Sequence, residues 1–326
     1  MRIVVIGLGS MGKRRVRLIL EMYPDYTVYG IDSKEERRKE AQRLFGIDCM
    51  ASILDVCFSI DCAFVCTSPL SHASIISECL VRQWNVFTEL NLVDTDYEKN
   101  MRLARDNGNT LFLSSTFLYR EEINYIRSQV TRDNRWNYIY HIGQYLQDWH
   151  PWESYKNFFI GDKRTNGCRE IFAIELPWLT RIFGDIVEFN VLSDKMTSLD
   201  IEFNDNYLVQ IVHENGNKGV LGADVVSPVA VRRLEIYTER KYISWEGTPD
   251  SLFTFDPDEK ILKAVRLTEK TEHIAGYSSF VVENAYKNEI KEFFDVISDR
   301  KKPEYGFEQD LKILKLIDSM EACQYE

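Results

Sequence analysis

Two patterns of apolar and polar positions divide the chain. Over the first 115 residues, short β-rich runs alternate with segments in which apolar residues recur at helical spacing. The runs cover 2–6, 27–31, 62–66, 85–88 and 110–114, and the helical segments cover 13–22, 34–45, 72–82 and 96–107. Strands that alternate with helices in this way predict a doubly wound parallel sheet with helices on both faces.

The pattern changes after residue 116. A helix over 120–132, a strand over 136–146, an aromatic loop and a helix over 170–183 come first. From residue 187 to about 264, apolar and polar positions alternate, which predicts an antiparallel sheet with one apolar face. Two more helices are predicted over 281–298 and 308–320.

Composition and charge narrow the classes of function. The formal net charge is −11 and no basic block is present, which argues against a nucleic-acid partner. The apolar runs are too short to span a membrane, and the N-terminus begins with a strand rather than a signal peptide, so we expect no membrane partner and a cytoplasmic location. Seven cysteines without a CxxC pair predict free thiols, and the absence of ligand spacing predicts no metal site.

The stretch GLGSMG follows the first strand and precedes a helix, which is where a dinucleotide-binding GxGxxG must lie. Gly7 permits the tight turn, Gly9 lets the backbone approach a pyrophosphate, and Gly12 allows close packing of helix on strand. Ser10 and Met11 start the helix, whose N–H groups and dipole favour an anion. A glycine turn without a ligand is the alternative.

Asp32 ends the second strand, 20 residues after Gly12, at the spacing where an acid binds the adenosine ribose. A carboxylate repels a 2′-phosphate, so NAD is favoured. Ser33 and Arg37 keep NADP open, because a nearby cation can accept the extra phosphate. A role for the aspartate as helix cap is compatible with ribose binding.

Further cofactor contacts are predicted at two later strand ends. Thr67, Ser68 and Pro69 form the loop after the third strand, on the ligand side of a doubly wound sheet. His72 either borders the cofactor or starts a helix without a ligand. In FTELNL, Glu89 is expected to face the cofactor.

MRIVVIGLGSMG, AFVCTSPLSHASII and NVFTELNL together resemble the glucose–fructose oxidoreductase, inositol dehydrogenase and rhizopine-catabolism family (Gfo/Idh/MocA). QYLQDWHPWESYKNFF and ELPWLTRIFG are similar to its sugar-biosynthesis branch, so the resemblance covers nearly the whole chain. It implies NAD(P)-dependent redox chemistry on a sugar, nucleotide sugar or polyol. It also implies a homo-oligomer, dimer or tetramer, packed through an open sheet face.

The resemblance also implies the domain organisation. We expect an NAD(P)-binding Rossmann domain over 1–117 and an α+β domain for substrate binding and oligomerisation over 118–305. This second domain is expected to contain a large open antiparallel sheet flanked by helices. The C-terminal helix, 306–326, is expected to pack back on the Rossmann domain.

The chain departs from the family where proton transfer is expected. The family has Glu-Lys-Pro after the strand that ends in FTELNL, and here Leu90 and Asn91 follow Glu89. The family's acid and histidine on a later helix fall at or beside Ile171 and Ile174. Because leucine and isoleucine cannot carry a proton, the acid–base group is predicted to be altered.

Other residues are candidates for the missing chemistry. His150, with an ordinary pKa near 6.5, suits proton transfer at neutral pH, and Glu170 and Glu175 are the next candidates. The residues predicted to bind sugar hydroxyls or to pack against a sugar ring are Leu90, Asp148, Trp149, Trp152, Glu153 and Tyr155. The alternative is that the aromatic side chains pack the sheet edge and His150 is a solvated loop residue.

Three hypotheses follow from these features. The first is an NAD(P)-dependent oxidoreductase with an altered acid–base group. The second is a catalytically silent dinucleotide-binding protein that regulates or partners another, motivated by the replaced lysine and histidine. The third is non-redox use of a tightly held NAD, in which the hydride is removed and returned within one cycle.

Overall fold

The computed structural model describes residues 1–149, 153–267, 280–299 and 301–323. The chain divides into two compact units, one of residues 1–115 with 287–312 and one of residues 116–286 with 313–326. The sequence placed a boundary near residue 117 and kept 118–305 together, whereas 287–312 lie in the first unit. No helix of the described ranges has the length and apolar content needed to cross a membrane.

The first unit contains a six-stranded parallel sheet with the order β3-β2-β1-β4-β5-β6. The strand order reverses between β1 and β4, as in a doubly wound sheet, so the predicted fold class is confirmed. The strands are β1 (Arg2–Ile6), β2 (Thr27–Ile31), β3 (Asp48–Met50), β4 (Cys62–Val65), β5 (Asn85–Thr88) and β6 (Leu111–Leu113). The helices between them are α1 (Ser10–Met22), α2 (Glu35–Phe45), α3 (Pro69–Val81) and α4 (Tyr97–Asn107).

One strand and one helix of the first unit differ from the sequence prediction in ways that matter for the site. Strand β3 has three residues at the edge of the sheet, too few for a period-2 pattern to show. Helix α3 begins at Pro69, not at His72, because proline at the first helical position loses no hydrogen bond. His72 therefore lies inside the helix, so it is not a helix-start residue.

The second unit is built on an eight-stranded sheet with the order β14-β13-β12-β11-β7-β10-β9-β8. The helices that precede and follow its first strand are α5 (Glu121–Gln129) and α6 (Gly167–Phe183). The strands are β7 (Asn137–Gly143), β8 (Ile186–Asp194), β9 (Asn206–His213), β10 (Lys218–Asp224), β11 (Val231–Tyr237), β12 (Tyr242–Trp245), β13 (Phe253–Asp256) and β14 (Ile261–Ala264).

The prediction of an antiparallel sheet holds for every neighbouring pair in this order except one. Strands β7 and β10 pair in parallel. Period-2 alternation is the same for both directions of pairing, so the sequence could not reveal this pair. On one face, Tyr138 and Tyr140 are buried, and their rings contact Phe183 and Trp178 of α6.

Helices α7 (Glu283–Asp299) and α8 (Phe307–Ala322) are the last elements. The Phe293 side chain of α7 is fully buried in the first unit. Its ring meets those of Phe64, Phe87 and Phe112, which come from β4, β5 and β6, at centroid distances of 5.2, 5.5 and 5.6 Å. A C-terminal residue thus completes the core of the N-terminal sheet.

We expect Phe293→Ala to lower the free energy of unfolding by about 3–5 kcal/mol, since it opens a cavity among three ring contacts. Urea unfolding followed by circular dichroism measures the change. Lys291→Ala on the exposed side of the same helix is the matched control and should change stability by less than about 0.5 kcal/mol. Equal effects of the two substitutions would contradict this packing.

Candidate functional site

The glycine-rich turn lies between β1 and α1, and its three glycines differ in what surrounds them. Gly7 has φ +91°, and a Cβ there would lie 2.8 Å from the backbone of Cys66. A Cβ on Gly12 would overlap the carbonyl oxygen of Gly7. At Gly9 a Cβ would meet only Arg37 Nη1, at 3.8 Å. The fold therefore requires Gly7 and Gly12, while Gly9 leaves the turn open for the approach of a ligand.

The carboxylate of Asp32 connects the end of β2 to this turn. Its Oδ2 accepts a hydrogen bond from the Leu8 amide at 2.8 Å, and its Oδ1 accepts one from the Lys34 amide at 2.8 Å. A carboxylate has about four acceptor positions, so these bonds leave capacity for a ribose hydroxyl. Asp32 thus fixes the shape of the turn and retains the chemistry expected of a ribose-binding acid.

A cation lies beside this acid. Arg37 Nη1 is 3.6 Å from Asp32 Oδ2, and the Arg37 side chain is 43% exposed. Arg38 Nη1 donates to the backbone carbonyl oxygens of Asp32 and Ser33. The Ser33 side chain is exposed, and its hydroxyl takes no part in these two bonds. The pairing of an acid with a half-exposed arginine suits NAD directly and offers a partner for the 2′-phosphate of NADP.

The loop after β4 is held from inside by His72. The His72 side chain is buried, with Nε2 2.9 Å from the Thr67 carbonyl oxygen and Nδ1 2.6 Å from Asn91 Oδ1. Burial lowers the pKa of His72, against the raising effect of these two contacts. The two ring contacts of His72 tie the loop of Thr67, exposed Ser68 and buried Pro69 to the residues after β5. Cofactor contacts by this loop stay a prediction.

Glu89, at the end of β5, is engaged by an arginine that the sequence analysis missed. Arg15 Nε donates to Glu89 Oε1 at 2.6 Å and Arg15 Nη2 to Oε2 at 3.2 Å. The available signal was an arginine three residues after Gly12, on the stripe of α1 that faces the sheet. Leu90, the next residue, is half-buried and carries no ionisable group.

In the second unit, Glu170 occupies the first turn of α6. It is half-buried, and the loss of water around its carboxyl raises its pKa to about 7. Within the described ranges, no cation or hydrogen-bond donor holds this carboxyl. A group that titrates near neutrality without a fixed partner has the properties of a general acid or base.

Glu175, on the same helix, has a different environment. It is fully buried, it accepts hydrogen bonds from Tyr140 Oη at 2.7 Å and Trp178 Nε1 at 2.8 Å, and it pairs with Arg232 Nη1. A buried carboxylate with these partners is held as a counter-ion for arginine. We therefore place Glu170, and not Glu175, in the acid–base role proposed below.

Two residues of the aromatic loop have partners within the second unit. Trp149 Nε1 donates to the Gln144 carbonyl oxygen at 3.0 Å, and Tyr155 Oη accepts from the Asp200 amide at 3.2 Å. Asp148 and Glu153 are exposed, whereas His150 and Trp152 lie outside the described residues. The substrate-binding roles of these side chains stay predictions.

Comparison with known proteins finds a family model that matches the N-terminal residues. Residues 1–115 match the model of the family described as "Oxidoreductase family, NAD-binding Rossmann fold" (Gfo/Idh/MocA). No curated protein sequence matches the chain. Solved structures that share the fold include UDP-N-acetylglucosamine 3-dehydrogenase from Acidithiobacillus ferrooxidans, at 15% identity and a TM-score of 0.76, covering 98% of this chain and 96% of that chain.

Two further structures extend the comparison. Levoglucosan dehydrogenase, solved with NADH and levoglucosan, is 14% identical with a TM-score of 0.79, over 98% of this chain and 96% of that chain. Biliverdin reductase from Synechocystis sp. PCC 6803, solved with biliverdin and NADP+, is 16% identical with a TM-score of 0.77, over 99% of each chain. At these identities the likeness shows a shared fold.

The glycines supply a matched pair of variants. Gly12→Ala should lower the melting temperature by more than about 5 °C, because its methyl group overlaps the Gly7 carbonyl. Gly9→Ala should leave the melting temperature within about 1 °C and weaken dinucleotide binding by about tenfold or more, since its methyl group occupies the open approach. Thermal unfolding and calorimetric titration with NAD+ and NADP+ measure the two effects. A Gly9→Ala protein with unchanged affinity for both would argue against a ligand at this turn.

Proposed function

We propose, from the membership of residues 1–115 in the Gfo/Idh/MocA oxidoreductase family with its NAD-binding Rossmann fold, that the chain oxidises or reduces a sugar, nucleotide sugar or polyol with NAD(P). The observation that carries the proposal is the pair of bonds by which Asp32 fixes the turn around Gly9. This arrangement combines an open backbone approach, a helix N-terminus and a ribose-binding acid.

The substrate class rests on resemblance and on similar structures. Two structures with this fold are a UDP-N-acetylglucosamine dehydrogenase and a levoglucosan dehydrogenase. A biliverdin reductase shares the fold as well, so the fold by itself does not select a sugar. Support for a sugar comes from the stretches QYLQDWHPWESYKNFF and ELPWLTRIFG, which are similar to the sugar-biosynthesis branch of the family.

The residues of the chain divide the work of such a reaction. The nicotinamide cofactor supplies the hydride acceptor or donor when it is bound. Asp32 orients the adenosine ribose, and the N-terminus of α1 binds the pyrophosphate. Glu170 accepts the proton of the substrate hydroxyl, because a pKa of about 7 lets it alternate between the two protonation states at neutral pH. Leu90 cannot perform this step.

A catalytically silent dinucleotide-binding protein is the second candidate. It is favoured by Leu90 at the position of the family lysine, and by Ile171 and Ile174, which lie at or beside the positions of the family acid and histidine. A protein that regulates or partners another would bind the cofactor through Asp32 and release no product. The two candidates therefore share the nucleotide site and differ in turnover.

Glu170→Gln tests the proposed reaction. With a sugar or polyol that the wild-type chain turns over, kcat should fall by about 10²- to 10⁴-fold while the Kd for NAD(P) stays within about twofold. The wild-type activity should rise through about pH 7 in the direction of oxidation, and this step should be absent in the variant. Glu214→Gln, an exposed carboxyl of the same unit, is the matched control and should keep the wild-type profile.

Other outcomes separate the remaining hypotheses. Cofactor binding without turnover of any sugar, nucleotide sugar or polyol supports the silent protein. A cofactor that survives purification, with a converted sugar but no net NADH, supports return of the hydride within one cycle. Loss of turnover in His150→Ala, with full activity in Glu170→Gln, would move the proton step to the aromatic loop.

We also propose that the chain assembles through the open face of its large sheet, here defined by Ile139, Leu208, Val220 and Tyr237. These side chains are exposed and come from the four neighbouring strands β7, β9, β10 and β11. Ile139 and Val220 are direct partners in the pairing of β7 with β10, so the apolar surface is continuous there. An exposed apolar patch of this kind typically marks a protein interface, and a second copy of the chain is the occupant that the family resemblance implies.

Leu208→Glu should convert the assembled chain into a monomer, because the 56% exposed leucine lies within the patch and its replacement introduces a charge. Light scattering after size-exclusion chromatography gives the mass of the assembly. Leu54→Glu, at a 77% exposed leucine of the first unit, is the control and should leave the mass unchanged. A wild-type chain that is monomeric at all concentrations would refute the proposed assembly.

A further inference from the structure

A buried charge cluster lies at the end of β5, within the first unit. Arg15, on α1, is fully buried, and its guanidinium binds the two oxygens of Glu89 as a fork. Its Nη2 also donates to Glu289 Oε2 at 2.7 Å. One arginine is thus shared by two carboxylates, here called the Arg15 cluster.

Glu289 has the hydrogen bonding of an ionised carboxylate. Besides Arg15, it accepts bonds from Ser114 Oγ at 3.0 Å and from the Ser115 amide at 2.7 Å. The pKa of Glu289 is raised on balance, first by burial and then by the nearby Glu89, while Arg15 and the Ser114 hydroxyl act to lower it. With three donors directed at it, the carboxylate is satisfied in its charged form.

Among the side chains of Arg15, Glu89 and Glu289, the cluster carries one more negative charge than positive charge. Burial alone would lower the pKa of Arg15, but the two carboxylates raise it above its ordinary value, so the guanidinium is always charged. Glu289 is fully buried, whereas Glu89 keeps 13% of its side chain exposed. The excess charge therefore reaches the surface of the unit at Glu89.

Glu89 lies in the half of the sheet where the nicotinamide is expected. A dinucleotide lies across the carboxyl ends of the strands, with one mononucleotide on each side of the point where the strand order reverses. Asp32, after β2, marks the adenosine side, so the nicotinamide side is that of β4, β5 and β6. The nicotinamide ring carries a positive charge when it is oxidised and none when it is reduced.

We propose that the Arg15 cluster sets the redox preference of the bound cofactor, so that the oxidised form binds more tightly than it would beside a neutral strand end. The inference rests on the proposed dinucleotide function and specifies its direction: because the oxidised form would be stabilised, the bound couple would favour hydride donation, which is reduction of the substrate. Both Glu89 oxygens are held by the guanidinium, so Glu89 acts as a positioning and electrostatic residue and not as the acid–base group.

The ratio of two dissociation constants tests the proposal without any substrate. Titration of the full chain with NAD+ and with NADH, by calorimetry and by NADH fluorescence, gives Kd(NAD+)/Kd(NADH). Glu89→Gln should raise this ratio by about three- to tenfold, because it removes a negative charge from the side of the sheet where the nicotinamide would bind. Glu89→Asp, which keeps the charge, should restore the ratio to near the wild-type value.

Two controls separate charge from structure. Asp32→Asn, at the adenosine side, should weaken both forms by the same factor and leave the ratio unchanged. Glu289→Gln removes a buried charge of the same cluster and should raise the ratio in the same direction, and it provides a second test if Glu89→Gln lowers the melting temperature.

The outcomes that overturn the proposal are distinct from failure of the function itself. If the wild-type chain binds neither NAD(H) nor NADP(H), the dinucleotide function fails and this inference fails with it. If both forms bind and the ratio stays within twofold in Glu89→Gln and Glu289→Gln, the function stands and the cluster only holds the fold together. A ratio that shifts equally in Glu89→Asp would assign the effect to geometry rather than charge.

Discussion

The hydrogen bond from the Leu8 amide to the Asp32 carboxylate is the interaction on which the nucleotide site depends. It joins the turn after β1 to the end of β2, two neighbouring parallel strands whose pairing brings their ends together. The turn is shaped so tightly that no side chain fits at Gly12. Within that constraint a single carboxylate fixes the backbone and keeps acceptor positions for a further hydroxyl. The glycine pattern therefore indicates a nucleotide site because of its position between β1 and α1, next to the end of β2, and not because of its sequence alone.

Parallel strands explain why so much of this unit could be predicted from the sequence. A strand buried on both faces shows as a continuous apolar run, and four such runs from β1 to β5 were predicted at or within one residue of their bounds. The parallel direction of the strands follows from the helices between them. Strand β3 was missed because it has only three residues, too few to show an alternating pattern. The parallel pairing of β7 and β10 was missed because alternation of apolar and polar residues is the same in parallel and antiparallel strands.

The candidate site could be predicted where a side chain interacts with the backbone of a nearby turn. It could not be predicted where side chains that are distant in the sequence interact with each other. The sequence could bring Gly7, Gly12 and Asp32 together as candidates because their spacing along the chain determines where they lie in the fold. Arg15 and Glu289 are 274 positions apart, and only the packing of α7 on the sheet brings them together. Likewise, sequence spacing could not distinguish Glu170, which has no fixed partner in the described ranges, from Glu175, which is bound by Arg232 and two aromatic side chains.

The central claim is that the glycine turn and the nearby strand ends hold a dinucleotide. Backbone hydrogen exchange of the full chain, followed by mass spectrometry with and without saturating NAD+ or NADP+, tests it most directly. Slower exchange is predicted in peptides covering residues 7–13 and 65–72, since the ligand covers the N-terminus of α1 and the loop after β4, with no change in β12 to β14. Unchanged exchange over residues 7–13 with both cofactors would contradict the claim.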